Sequence, residues 1–145
     1  MKKLLFKSMM VVAMAATLVA CEKDDETTGG TSGASIVGTW DQTSEKTTYS
    51  INGQVIEDTT ITYPADSFLI TFTSTGVAYS NDGDTLQYSL NNGKLTLISN
   101  YGGQYDTAVM NANVTATNLT LSFAEVDTFQ GQTFNYSSIA NFRRK

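Results

Sequence analysis

From about residue 37 onward, apolar and polar residues alternate with a period of two. In "SFLITFTSTG" Phe68, Ile70 and Phe72 fall on one side, and Leu69, Thr71 and Thr73 on the other. Leu86, Tyr88 and Leu90 repeat the device, as do Leu95 with Leu97, and Leu119, Leu121 and Phe123. Successive side chains of a strand point to opposite faces, so this pattern predicts half-buried antiparallel strands rather than helices. Turn pairs punctuate it at Asn52-Gly53, Asp82-Gly83, Asn92-Gly93 and Gly102-Gly103, residue types that accept the positive φ of two-residue hairpins. Strands are expected near 37–51, 54–63, 67–74, 76–81, 84–91, 94–99, 104–115, 117–125 and 132–142. The lone proline, Pro64, lies between two of them, where its missing N–H removes no ladder bond. The expected fold is all-β: a single antiparallel up-and-down barrel of about eight strands, with a β-sandwich as the alternative.

The first twenty residues follow another rule. Lys2, Lys3 and Lys7 precede a mostly apolar run from Met9 to Ala20, the pattern of a secretory signal peptide. The run is shorter than the roughly 20 apolar residues that span a bilayer. It ends in Leu18-Val19-Ala20-Cys21, and Cys21 is the only cysteine. This tetrapeptide resembles a bacterial lipobox. The resemblance implies cleavage before Cys21, acylation of its thiol, and attachment of the mature chain to a membrane through lipid. The alternative is an ordinary signal peptide followed by an unpaired thiol. With the thiol acylated, neither a disulfide nor a cysteine nucleophile remains.

Four carboxylates follow in "EKDDE". They read either as a solvated tether or, by resemblance to the surface export signal of some Gram-negative lipoproteins, as an address in Lys23, Asp24, Asp25 and Glu26. That resemblance implies the outer membrane, with the protein exposed at the cell surface. Thr27 to Ser35, "TTGGTSGAS", has the composition of a flexible linker. The expected organisation is a lipoprotein signal peptide at 1–20, a lipidated tether and linker at 21–35, and one β-domain at 36–145. Without Lys2, Lys3 and Lys7, the nine cations fall to six against fourteen acids. Such an acidic balance argues against a nucleic-acid binder, which needs clustered cations for phosphates.

The domain opens with "SIVGTW". Its Gly-x-Trp, Gly38 and Trp40, resembles the first strand of the lipocalin family, especially the lipocalin-like domains of bacterial surface lipoproteins. The resemblance extends over about Ile36 to Phe123, although a Thr-Asp-Tyr triplet is absent. It implies that Trp40 closes the barrel floor with Gly38 beside it and that an arginine from the chain's end, Arg143 or Arg144, packs on the indole. It also implies a lumen. Inward candidates to line a small apolar ligand are Tyr49, Phe68, Ile70, Phe72, Tyr88, Leu97, Leu121, Phe123 and Tyr136. These same large side chains could instead fill the barrel, since an eight-stranded barrel is about wide enough for either.

There is no histidine, so Ser-His and Cys-His pairs and the commonest zinc ligand are excluded. Glu45, Glu57, Asp58 and Glu125 are among the acids placed on strands, and their sequence positions do not show whether any two approach closely enough for hydrolysis. The chain is therefore expected to be noncatalytic, without cofactor or metal. "SNDGDTL" holds oxygen donors at Asn81, Asp82 and Asp84 but lacks the twelve-residue span of a calcium loop, and reads as a turn. Asp58-Thr59-Thr60, Asp84-Thr85-Leu86 and Asp106-Thr107-Ala108 resemble an O-glycosylation acceptor motif, which implies modification at Thr59, Thr85 and Thr107. The expected function is an envelope lipoprotein that binds a small apolar molecule in its barrel. The alternative is a filled barrel that binds glycan or protein through loops such as "SNYGGQY" with Tyr101 and Tyr105.

Overall fold

A computed structural model describes residues 34–145, and every regular element in that range is a strand. They are β1 (Gly38–Ile51), β2 (Gln54–Thr62), β3 (Leu69–Phe72), β4 (Val77–Ser80), β5 (Thr85–Asn91), β6 (Lys94–Tyr101), β7 (Gln104–Val114), β8 (Asn118–Phe129) and β9 (Gln132–Arg144). No helix among the described residues is long and apolar enough to cross a membrane. Two-residue hairpins form where turn pairs supply positive φ: Asn52-Gly53 (51° and 81°), Asn92-Gly93 (48° and 72°) and Gly102-Gly103 (63° and 89°).

All nine strands join one antiparallel sheet in the order β2-β1-β3-β4-β5-β6-β7-β8-β9, and β1 also pairs with β9. That last pairing, from Trp40↔Arg144 to Ile51↔Phe134, closes the sheet into a barrel of eight strands and excludes the sandwich. At the barrel's lower end, closure removes the unpaired edges that an open sheet would leave.

The ninth strand, β2, departs from a simple meander. The lower part of β1, Gly38 to Asp41, pairs with β3, whereas its upper part, Ser44 to Ile51, pairs with β2. The change of partner occurs at an irregularity between Gln42 and Ser44, with Thr43 as the additional residue. There the Gln42 amide donates to the Phe68 carbonyl (3.0 Å), and the Tyr63 amide donates to the Thr43 carbonyl (2.9 Å). The connection from β2 to β3 thus bonds to the backbone of β1 on either side of the bulge. Pro64 lies in it, outside every ladder.

A second seam opens between β7 and β8, which pair only from Asn111↔Ser122 to Val114↔Leu119. Above this level β8 pairs with β9 alone, as far as Phe129↔Gln132. The barrel is therefore a closed belt at its lower end. Above the belt rises a four-stranded wall, β2-β1-β9-β8, and the β6–β7 hairpin stands apart from it. All nine residues of β2 are exposed because nothing pairs beyond it or packs on it.

The belt is filled with side chains. Trp40, Phe72, Leu95 and Leu119 are among the largest fully buried groups, joined by Ile70, Leu86, Met110, Leu121 and Phe142. Phe72 meets Tyr88 edge-on at 4.9 Å between ring centres. These rings and branched chains occupy the lower lumen and form one buried cluster.

Candidate functional site

The lower end is built around Trp40. Its indole N–H donates to the Ile36 carbonyl (2.7 Å), which draws the chain before β1 across the floor. The Arg144 guanidinium lies 4.1 Å from the centre of the Trp40 ring. It also donates to the carbonyls of Ala116 and Val37, each at 2.8 Å, and to that of Ser35. Gly38 makes this approach geometrically feasible: its φ is 137°, and a Cβ there would sit 2.6 Å from an Arg144 nitrogen. Arg143 instead turns outward to Asp41 (3.6 Å), whose buried carboxylate also accepts the Asp66 amide (3.0 Å).

Above the belt the interior changes character. Registered partners in an antiparallel ladder share a face. The ladders therefore place Glu57, Tyr49, Tyr136 and Glu125 in one row across β2, β1, β9 and β8, on the interior side. The row above continues with Ile51, Phe134 and Asp127, and the row below with Thr59, Thr47, Ser138 and Phe123. Tyr49 stacks with Phe134 at 6.4 Å, and Phe123 lies 6.3 Å from Tyr136. All four rings are half-buried, neither sealed in the core nor fully in water.

Glu45 supports this wall from beneath. It accepts hydrogen bonds from the Ser138 hydroxyl (2.9 Å) and the Tyr63 hydroxyl (3.2 Å). Burial, reinforced by the neighbouring Glu45 carboxylate, pushes the Tyr63 hydroxyl above its usual value near 10. Facing β1 across the lumen is β6, the fifth strand counted round the closed barrel from β1. There Ser99 follows Leu95 and Leu97 on the interior face, opposite Asp106. Ser99 is 2% exposed, and its hydroxyl has no hydrogen-bond partner.

The nine residues expected inside the barrel all fall on the interior face, at different depths. Ile70, Phe72 and Leu121 belong to the buried belt, with Phe68, Tyr88, Leu97 and Phe123 packed partly buried against it. Tyr49 and Tyr136 stand higher, on the open wall. Sequence reasoning missed Asp127 because it ended the eighth strand near 125, and it left Phe134 out of the inward set although that residue lies within the strand expected at 132–142. The signal was there, since "EVDTFQGQTF" keeps its alternation around a Gln-Gly pair. Gln130 and Gly131 make the turn with φ of 51° and 76°, and glutamine is not a usual residue at that position. Nothing in the alternation marked Ser99 as unpartnered.

Thr59, Thr85 and Thr107 are exposed, and the Thr59 hydroxyl donates to Glu57 (3.2 Å). Asp58 lies on the outer face, paired with Lys46 at 3.1 Å. In the "SNDGD" loop, Asn81 accepts the Leu69 amide, and the Ser80 hydroxyl accepts the Asp84 amide. Among the described residues no group of three or more acids or other ligating side chains is arranged to hold a metal ion. Tyr105 is 66% exposed, whereas the side chain of Tyr101 is outside the description. Cys21 and the acidic stretch Lys23, Asp24, Asp25 and Glu26 also lie outside the described residues.

The arrangement offers aromatic faces and hydrogen-bond acceptors at an open end above a filled floor. Compared with family models, curated proteins and solved structures, the chain matches none of them.

Proposed function

We propose that this chain is a lipid-anchored protein of the bacterial outer membrane, displayed at the cell surface, whose barrel is a noncatalytic binding module for a small molecule with apolar surface. The anchoring half of the reading rests on the lipobox-like Leu18 to Cys21 and the acids that follow. The binding half rests on one observation: Tyr49, Phe123, Phe134 and Tyr136 face inward yet stay half-exposed, above a belt whose own side chains are buried. Aromatic rings left partly in water gain free energy when a ligand covers them. The ligand sits above the floor, because Trp40 and Phe72 occupy the lower lumen. A second reading, attachment to glycan or protein through the β6–β7 turn, draws on the exposure of Tyr105.

Native mass spectrometry of the protein from its own type of cell, before and after denaturation, separates the two. A mass difference equal to a small molecule, lost in Tyr49→Ala with Tyr136→Ala, is the expected result. Identical masses would overturn the small-molecule reading and favour the turn.

A further inference from the structure

We infer that the molecule held at the open end is a small organic cation, an ammonium carried on a compact hydrocarbon body. The inference rests on the binding reading above and adds its charge. In the row across the open wall, two tyrosine rings are flanked by two carboxylates, Glu57 beside Tyr49 and Glu125 beside Tyr136. Asp127 stands beside Phe134 in the next row. No cation of the described chain answers them. Lys46 pairs with Asp58 on the outer face, and Lys94 donates to Asn111 at 2.7 Å. Arg143 pairs with Asp41, Arg144 lies on Trp40, and Lys145 pairs with Asp66. Each described lysine and arginine is engaged away from this face.

Rings and carboxylates on one surface favour the same guest. The face of an aromatic ring carries negative potential and attracts an ammonium within about 6 Å of its centre. Carboxylates add direct charge attraction, strengthened where the site is partly shielded from water. On the strand that faces this wall across the lumen, the Ser99 hydroxyl is buried without a partner, a state held at a cost. A fatty carboxylate would meet repulsion from the acids. A neutral sugar would cover the rings and leave the carboxylates uncompensated.

The test compares choline with its neutral isostere 3,3-dimethylbutan-1-ol, titrated into the full lipidated chain in maltoside micelles and followed by calorimetry. Choline is expected to bind at least about tenfold more tightly. Glu57→Gln with Glu125→Gln brings choline to the level of the isostere and leaves the isostere unchanged, whereas Tyr49→Ala weakens both. These acids are at least partly exposed, and a thermal melt of each variant checks that the fold persists. Equal affinity for the two probes, or binding of neither, overturns the cation inference. The small-molecule reading is decided separately, by the mass difference described above.

Discussion

The Arg144 guanidinium occupies the volume that Gly38 leaves vacant: a Cβ at residue 38 would lie 2.6 Å from its Nη1. Because three carbonyls and the Trp40 ring hold that guanidinium, it cannot swing aside without losing them. Gly38→Ala is therefore expected to destabilise the domain by about 2–3 kcal/mol, from displaced hydrogen bonds and from backbone strain at φ 137°. In an Arg144→Ala background the steric part vanishes and only the strain remains. A double-mutant cycle by urea unfolding should accordingly show coupling of about 1 kcal/mol or more, and simple additivity would refute the relationship.

The filled belt and the open wall make opposite demands on their aromatic residues. Phe72 is 1% exposed, so Phe72→Ala should cost about 3–5 kcal/mol through lost burial and the cavity left behind. Tyr136 is only half-buried, and Tyr136→Ala should cost less than about 2 kcal/mol. Comparable losses in chemical unfolding would show that the wall is as much core as the belt.

Alkali should weaken the fold through two tyrosines. Burial raises Tyr88 above its ordinary value near 10, and burial with Glu45 raises Tyr63. Above about pH 10 the unfolded chain loses these protons while the folded chain keeps them, so unfolding is favoured as pH rises through the folded-state values. Their contribution is fully present below pH 10. Stability followed from pH 8 to 12 should fall at the upper end, and Tyr63→Phe with Tyr88→Phe should flatten that fall.

Gln130 adopts φ 51° at the first position of its hairpin turn, a conformation that asparagine accepts more readily. Gln130→Asn should raise stability by about 0.5 kcal/mol, seen as a small increase in melting temperature. A decrease would mean that the glutamine side chain contributes more than its backbone costs.

Much of the architecture could be read along the chain, since every strand had alternation or a turn pair to mark it. Asn52-Gly53, Asn92-Gly93 and Gly102-Gly103 sit where hairpins turn because few residue types tolerate two successive positive φ values. The turn at Gln130-Gly131 escaped because its first residue is atypical, and with it escaped the upper end of β8. The interior residues were legible as a set, because a period of two sorts faces without reference to partners.

Alternation and turn pairs thus determined the elements and the all-β class, and alternation sorted the faces wherever no bulge intervenes, each a local property of the backbone. Pairing between distant segments decided the rest. Only the closed sheet moves β2 outside the barrel, since β1 changes partner at Thr43, and nothing near Thr43 in the chain announces the change. Only the packed floor selects Arg144 rather than Arg143 for the indole, as neighbouring residues on a strand face opposite ways. The row Glu57-Tyr49-Tyr136-Glu125 joins four strands, and its charge against aromatic surface exists only once the sheet has closed.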